Sequence, residues 1–116
     1  MKQFLLLFRG RDTHPQASPE EIQAQMQKWF AWIDGLAKEK KYLTGNPLED
    51  TGRTISGTRK VVTDGPFAEG KEMLGGYILI AVENYDEAAA IANNCPILDS
   101  DSGSVEVREV KVMADP

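Results

Sequence analysis

Residues 76–82 read GYILIAV, and hydrophobic side chains occupy both the odd-numbered and the even-numbered positions of this run. Alternate side chains of a β-strand point to opposite faces of the sheet, so this strand would be apolar on both sides. Residues 3–8, QFLLLF, have the same two-sided character. Strands of this kind are typical of a sheet whose two faces are both covered. The two runs therefore predict a pair of central strands that need cover above and below.

Two helices are predicted from their N-terminal signals. Ser18 is a good N-cap, a proline follows in the first turn, and Glu21 completes a capping box. Apolar residues then recur every three or four positions over about 20 residues, which predicts one wide hydrophobic face. This stripe comprises Ile22, Met26, Trp29, Phe30, Ile33, Leu36 and Ala37. Asn84 and Glu87 repeat the capping-box spacing before a short alanine-rich helix that ends ahead of Pro96.

The remaining strands are predicted from shorter patterns. Residues 48–56 and 58–63 read as two short strands separated by a glycine, and the GNP sequence at 45–47 reads as a turn. In the last strand, residues 104–113, the valines change parity halfway along. A one-residue bulge near Arg108–Glu109 would restore a single apolar face.

The predicted order is β-α-β-(β)-β-α-β within a single domain that spans residues 1–116. This order predicts an α+β fold, a ferredoxin-like antiparallel sheet with two helices on one face. Two helices leave the second apolar face of the central strands exposed to water, which monomers rarely tolerate. We expect this face to pack against a second copy by two-fold symmetry. The alternative is that long side chains from residues 44–76 fold back over it.

Composition excludes several classes of function. The 18 acidic and 13 basic residues give a net charge of −5, which argues against a nucleic-acid partner. The apolar run near residue 4 is too short for a signal peptide or a membrane span. One histidine and one cysteine show no metal-ligand spacing, and no glycine pattern matches a phosphate loop, so neither a metal nor a cofactor is predicted. The cytoplasm is the predicted location.

Three single residues have competing interpretations. Trp29 lies on the helical stripe and is expected in the core, whereas Trp32 lies one step off it, where an interface or a pocket rim could use it. Cys95 has no second histidine or lysine close by in sequence to lower its pKa. A buried filler thiol is therefore favoured over a nucleophile.

Residues 63–77, TDGPFAEGKEMLGGY, combine turn-forming residues with both signs of charge. Asp64 can form an Asx-turn, Gly65 tolerates positive φ, and Pro66 fixes its own φ. One interpretation is a structural turn that tucks Phe67 into the core. The other is the wall of a binding pocket that presents a carboxylate and an aromatic ring. The residues that would bind a ligand there are Gly65, Pro66, Phe67, Glu69, Lys71, Glu72 and, on the approaching strand, Arg59.

The longer stretch VTDGPFAEGKEMLGGYILIAVENYDEAAAIANNCP, residues 62–96, resembles the signature of the YCII-related family and in particular its DGPF-domain branch. The resemblance implies a dimeric α/β barrel built from ferredoxin-like subunits. In the wider family a histidine and an aspartate lining a pocket are thought to act as an acid–base pair, and a few relatives act on small cyclic or aromatic compounds. By motif match the aspartate is Asp64. The chain has one histidine, His14, which becomes the candidate for the second member of the pair.

Three hypotheses for function follow from the resemblance. The first is a homodimer with a small-molecule pocket near the DGPF loop, acting as a cofactor-independent lyase or isomerase through Asp64 and His14. The second is a non-catalytic ligand-binding, regulatory or interaction module built on the same loop. The third is a purely structural turn that secures the dimer.

Overall fold

The structure is a computed structural model that describes residues 1–10, 18–65 and 73–113. Along the chain its elements are β1 (Lys2–Arg9), α1 (Pro19–Lys38), β2 (Tyr42–Pro47), β3 (Arg53–Ser56), β4 (Val61–Asp64), β5 (Leu74–Val82), α2 (Tyr85–Ala92), a 3₁₀ helix (Pro96–Asp99) and β6 (Ser104–Glu109).

The two strands with two-sided sequences form the centre of a four-stranded antiparallel sheet. β1 pairs with β5 on one side and with β6 on the other, and β2 adds to the outer side of β5. The resulting order is β2-β5-β1-β6. Both helices pack on the same side of this sheet. The predicted α+β, ferredoxin-like arrangement of two helices on an antiparallel sheet is confirmed.

The helix-covered face of the sheet holds the hydrophobic core. Its strand residues alternate with half-buried ones, as a period of two requires. α1 contributes Leu36 to this core, and α2 contributes Ala88 and Ala92. The buried strand side chains are Phe4, Leu6, Phe8, Ile78, Ile80 and Val82.

The opposite face of the sheet, called the open face below, carries the odd-numbered side chains of β1 and β5. Its apolar members are half-buried, and no helix covers them in the described part of the chain. They are Leu5, Leu7, Tyr77, Leu79 and Ala81. An ionic cluster borders the apolar patch, because the register of β1 with β6 places Arg9, Glu106 and Arg108 on the same side. Hydrogen bonds from Arg108 and Arg9 hold the pKa of the Glu106 carboxyl below its ordinary value.

Two local predictions from the sequence are wrong. Residues 45–47 are not a turn but the end of β2, where Asn46 lies opposite Tyr77 in the sheet. Because β2 is an edge strand, Pro47 can end it without interrupting the ladder. β6 shows no bulge near Arg108–Glu109, since its pairing with β1 is regular and it ends at Glu109. The irregularities occur instead where β5 pairs with Phe8–Arg9 and with Tyr42–Thr44.

Strands β3 and β4 form a separate hairpin inserted between β2 and β5. Its turn contains Gly57 at a φ of 73° and Lys60 at 54°. The radius of gyration is 16.1 Å, whereas a compact chain of this length would have about 13–14 Å. The predicted alternative was that long side chains from residues 44–76 cover the open face. The described residues of this segment do not do so. β2 extends the sheet, and the hairpin makes no extensive contact with the sheet.

Side-chain caps begin both helices as predicted. The Ser18 hydroxyl accepts a hydrogen bond from the Glu21 N–H at 3.2 Å, and Asn84 Oδ1 accepts one from the Glu87 N–H at 2.9 Å. The Glu83 N–H donates to the Glu87 carboxylate at 3.0 Å, and the Lys41 ammonium lies 3.3 Å from it. These partners lower the pKa of the Glu87 carboxyl.

Among residues 1–10, 18–65 and 73–113, no helix has both the length and the apolar character that crossing a membrane requires.

Candidate functional site

A cavity of about 460 Å³ lies between α1 and one end of the sheet. This volume falls in the range of roughly 300–1,000 Å³ that is usual for small-molecule sites. Its walls come from α1, from the ends of β1 and β2, from the start of β5 and from the 3₁₀ helix. The lining residues are Phe8, Gly10, Met26, Trp29, Phe30, Ile33, Tyr42, Gly45, Asn46, Pro47, Gly75, Gly76, Tyr77, Ile78 and Ile97.

The cavity exists because small residues of the sheet face large residues of the helix there. Near the start of β5, Gly76 shares the helix-covered face with Ile78 and leaves no side chain to fill the space beneath α1. Gly45 of β2 lies so close to β5 that a Cβ atom would be 2.6 Å from Ile78 Cγ2 and 2.7 Å from the Tyr77 carbonyl oxygen. A residue larger than glycine would push β2 away from β5 and distort the cavity wall.

α1 is less buried than its hydrophobic stripe predicts. Leu36 is its buried member, whereas Ile22, Met26 and Phe30 are 52%, 51% and 65% exposed. Met26 and Phe30 line the cavity, so part of the stripe faces this space rather than packed side chains. An apolar stripe that is wider than the sheet can cover is therefore a sequence signal for a cavity beneath the helix.

Aromatic rings form the inner wall of the cavity. The Phe8 ring lies 5.1 Å from Trp29 and 6.0 Å from Trp32, and the two indoles are 5.8 Å apart, all in edge-to-face geometry. Trp29 lines the cavity. Trp32 does not line it: the Trp32 Nε1–H donates to the Ile91 carbonyl oxygen at 3.3 Å and ties α1 to α2. Trp32 therefore joins α1 to α2 instead of forming a cavity rim, and Trp29 packs against the core as expected while also lining the cavity.

Polar groups around the cavity are neutral. Tyr42 donates its hydroxyl hydrogen to the Gly45 carbonyl oxygen at 3.4 Å, and the Asn46 amide donates to the Tyr77 hydroxyl at 3.4 Å. Among the lining residues that the structure describes, none is an aspartate, glutamate, lysine, arginine or histidine. Burying a charge without a partner is costly. This wall therefore favours an uncharged ligand.

Asp64, the predicted catalytic carboxylate, lies at the end of β4 on the hairpin. Its side chain is 98% exposed, and Arg53 Nε lies 3.9 Å from its Oδ1 atom. An ion pair this exposed is screened by solvent and holds the carboxylate weakly. Asp64 does not belong to the described lining of the cavity.

Two of the predicted binding residues are also on the hairpin segment. Gly65 has a φ of 103°, so the predicted positive φ is confirmed, and its N–H donates to the Gly52 carbonyl oxygen at 2.7 Å. Arg59 lies in the turn at the other end of the hairpin. Neither residue lines the described part of the cavity. The remaining predicted site residues, His14, Pro66, Phe67, Glu69, Lys71 and Glu72, lie outside the described residues, and their roles stay predictions.

Cys95 is a buried thiol, as the sequence analysis favoured. Burial raises its pKa to about 12. Because the thiolate is the nucleophilic form, this side chain is inert at neutral pH.

The fold and much of the sequence are similar to those of known proteins. The model of the YCII-related domain family matches residues 3–114. An uncharacterized protein of Rhizobium meliloti is 34% identical over 85 residues, which cover 65% of this chain and 68% of that protein. A solved structure of 5-chloro-2-hydroxyhydroquinone dehydrochlorinase from Burkholderia phenoliruptrix, in complex with 2,5-dihydroxybenzoquinone, superposes with a TM-score of 0.52. The two chains are 20% identical, and the match covers 94% of this chain and 93% of the dehydrochlorinase.

Proposed function

Because the chain belongs to the YCII-related family, we propose that it binds a small, uncharged cyclic or aromatic molecule in the cavity between α1 and the sheet. The observation that carries the proposal is an aromatic wall without a charged residue among its described members. The dehydrochlorinase with a similar fold forms a complex with a single-ring quinone, which supports a ligand of this size.

The DGPF motif precedes two cavity-lining glycines in the sequence. Residues 64–67 carry the motif, and Gly75 and Gly76, which line the cavity, follow shortly after it. On this motif we assign the chain to the DGPF-domain branch of the family. The pocket predicted near the DGPF loop and the cavity beneath α1 are then the same site in our proposal.

We propose a homodimer whose open faces pack against each other as a dimeric α/β barrel. The apolar side chains of the open face support it, because water would otherwise contact Leu5, Leu7 and Leu79. The bordering charges of Glu106 and Arg108 would form the polar rim of such an interface. The cytoplasmic location and the single-domain organisation remain predictions from the sequence.

The reaction we propose is a cofactor-independent elimination or isomerisation on the bound ring. His14 would exchange a proton with the substrate near neutral pH, and Asp64 would orient the imidazole and stabilise its charged form. The name of the dehydrochlorinase describes an elimination on a hydroxylated ring, which is a reaction of this class.

The second candidate is a ligand-binding module without catalysis. It is favoured by the position of Asp64, whose side chain is 98% exposed and absent from the described lining of the cavity. In this case the ligand itself would be the signal, and the DGPF loop would shape the site without acting as a base.

Binding is tested by tryptophan fluorescence and thermal shift with a panel of neutral hydroxyquinols and quinones, and with benzoate-type anions of the same size. We expect the neutral rings to quench Trp29 and raise the melting temperature, and the anions to do neither. Phe30→Ala should weaken binding by about tenfold, because it removes an aromatic contact at the mouth of the cavity. Leu43→Ala is the matched control, because Leu43 is also exposed but does not line the cavity. Preferential binding of the anions would contradict the proposal.

Turnover separates the two candidates. If the protein is an enzyme of the proposed kind, ligands that bind will be converted, and Asp64→Asn and His14→Gln will abolish conversion while binding remains. Binding without conversion by the natural protein would favour the module. Conversion that survives both substitutions would show that the acid–base pair is assigned to the wrong residues.

A further inference from the structure

The β3–β4 hairpin, called the arm below, makes no extensive contact with any other helix or strand of the described residues. Its two strands pair only with each other. The pairing puts Ile55 beside Val62 on one side of the arm, and Val61 beside Ser56 on the other side. Ile55 and Val62 are 67% and 57% exposed. Since an isolated two-stranded hairpin is marginally stable in water, the arm needs a surface to dock on.

A line of apolar residues on α1, called the strip below, is also exposed to solvent. Ile22, Met26 and Phe30 are spaced by four residues, so they form one line along the helix. Each of them is more than half exposed. Met26 and Phe30 are also at the mouth of the cavity. Within one chain this strip and the arm make no extensive contact with each other.

The net charge of the arm is opposite in sign to the net charge of the rest of the chain. Arg53, Arg59, Lys60 and Asp64 give the arm a formal charge of +2, and the whole chain carries −5, so the remaining residues carry −7. The first turn of α1, just before the apolar strip, contains two glutamates. Opposite charge attracts the arm to a surface of this kind and disfavours a basic partner.

We propose that the arm of one copy lies along α1 of a second copy, with Ile55 and Val62 on the strip of Ile22, Met26 and Phe30. Two-fold symmetry repeats the contact, so that each arm finds its docking surface and each strip is covered. The arm of the partner then closes one side of the cavity, and the site is incomplete in a single chain. The inference rests on the homodimer of the proposed function and adds to it the element that completes each site.

Cross-linking tests the contact directly. Cysteines are introduced together as Ile55→Cys and Met26→Cys and treated with a short bis-maleimide; the buried Cys95 thiol does not interfere. We expect covalent dimers on a denaturing gel, because each arm meets the other copy. A linked monomer would show that the arm folds on its own chain, and dimers from Ile55→Cys alone would show that two arms meet each other. Either result, or no linkage at all, would overturn the proposal.

Two matched variants measure the contribution of the docking side of the arm. Ile55→Asp should raise the dimer dissociation constant by at least about tenfold, because a charge replaces a buried apolar contact. Val61→Asp introduces the same charge on the other side of the arm and should leave the constant unchanged. Equal effects of the two variants would contradict the proposed contact. If the natural protein is a dimer by sedimentation and the double-cysteine variant does not cross-link, the arm proposal fails while the open-face dimer stands. If the natural protein is a monomer at micromolar concentration, both the arm contact and the open-face dimer are contradicted.

Discussion

Neighbouring residues on opposite faces of β5 distinguish the core from the open face. Ile80 is 0% exposed and lies between Phe4 of β1 and Tyr42 of β2 on the helix-covered side. Ile80→Ala should lower the free energy of unfolding by about 2–5 kcal/mol, because it removes buried methyl groups and leaves a cavity. For a domain of this size that loss lowers the melting temperature by roughly 10–25 °C.

Leu79→Ala removes a side chain of similar size from the open face. If the open face is the dimer interface, each dimer loses two such side chains. At about 1.5 kcal/mol for each leucine, the dimer dissociation constant should rise by about a hundredfold. The stability of the separate subunit should fall by less than it does in Ile80→Ala.

The assay is analytical ultracentrifugation together with thermal unfolding at low and high protein concentration. A dimer shows a melting temperature that rises with concentration. Ile80→Ala should keep this dependence at a lower temperature, and Leu79→Ala should shift it to higher concentration. The reasoning is refuted if the natural protein is a monomer, or if Leu79→Ala leaves the dissociation constant unchanged and destabilises the subunit as much as Ile80→Ala.

Three further outcomes are expected. Cys95, with a pKa of about 12, should not react with a thiol reagent at pH 8 until denaturant unfolds the protein, and rapid labelling of the native state would contradict its burial. Gly45→Ala should lower the free energy of unfolding by about 1–3 kcal/mol, because the added carbon collides with β5. Gly35→Ala has open space at its Cβ position and should raise that free energy by up to about 1 kcal/mol through helix propensity. Chemical denaturation of both variants measures the two changes. Glu87 has a pKa below its ordinary 4.5, so its contribution to stability is present above that pH and is lost as the pH falls through the lowered value. The stability of Glu87→Gln should accordingly depend less on pH in the acidic range below the ordinary value of 4.5 than that of the natural protein, and identical profiles would refute the assignment.

The features that the sequence predicted correctly are those encoded by local patterns. A period of two separated Leu6 from Leu5, and Ile80 from Leu79, onto opposite faces without reference to any other strand. The first turns of the helices were predicted for the same reason, since Ser18 and Asn84 act on backbone N–H groups three residues away.

The features that the sequence did not predict depend on contacts between distant residues. Residues 45–47 favour a turn by composition, yet pairing with β5 holds them extended. The cavity likewise requires Gly76 and Phe30 to line the same space, and no local sequence pattern shows which part of a helical stripe will border a cavity. Asp64 was placed in a site by family resemblance, whereas the structure places its side chain in solvent on the arm.

The position of β1 between β5 and β6 has a consequence for how the protein is made. Phe4 lies opposite Ile80 on one side and Glu109 on the other, so the first strand of the sheet pairs with strands that are translated well after it. Sheets closed by such distant contacts fold slowly. The apolar run Phe4–Phe8 therefore leaves the ribosome long before its neighbours and stays open to chaperones or to aggregation until β6 is released.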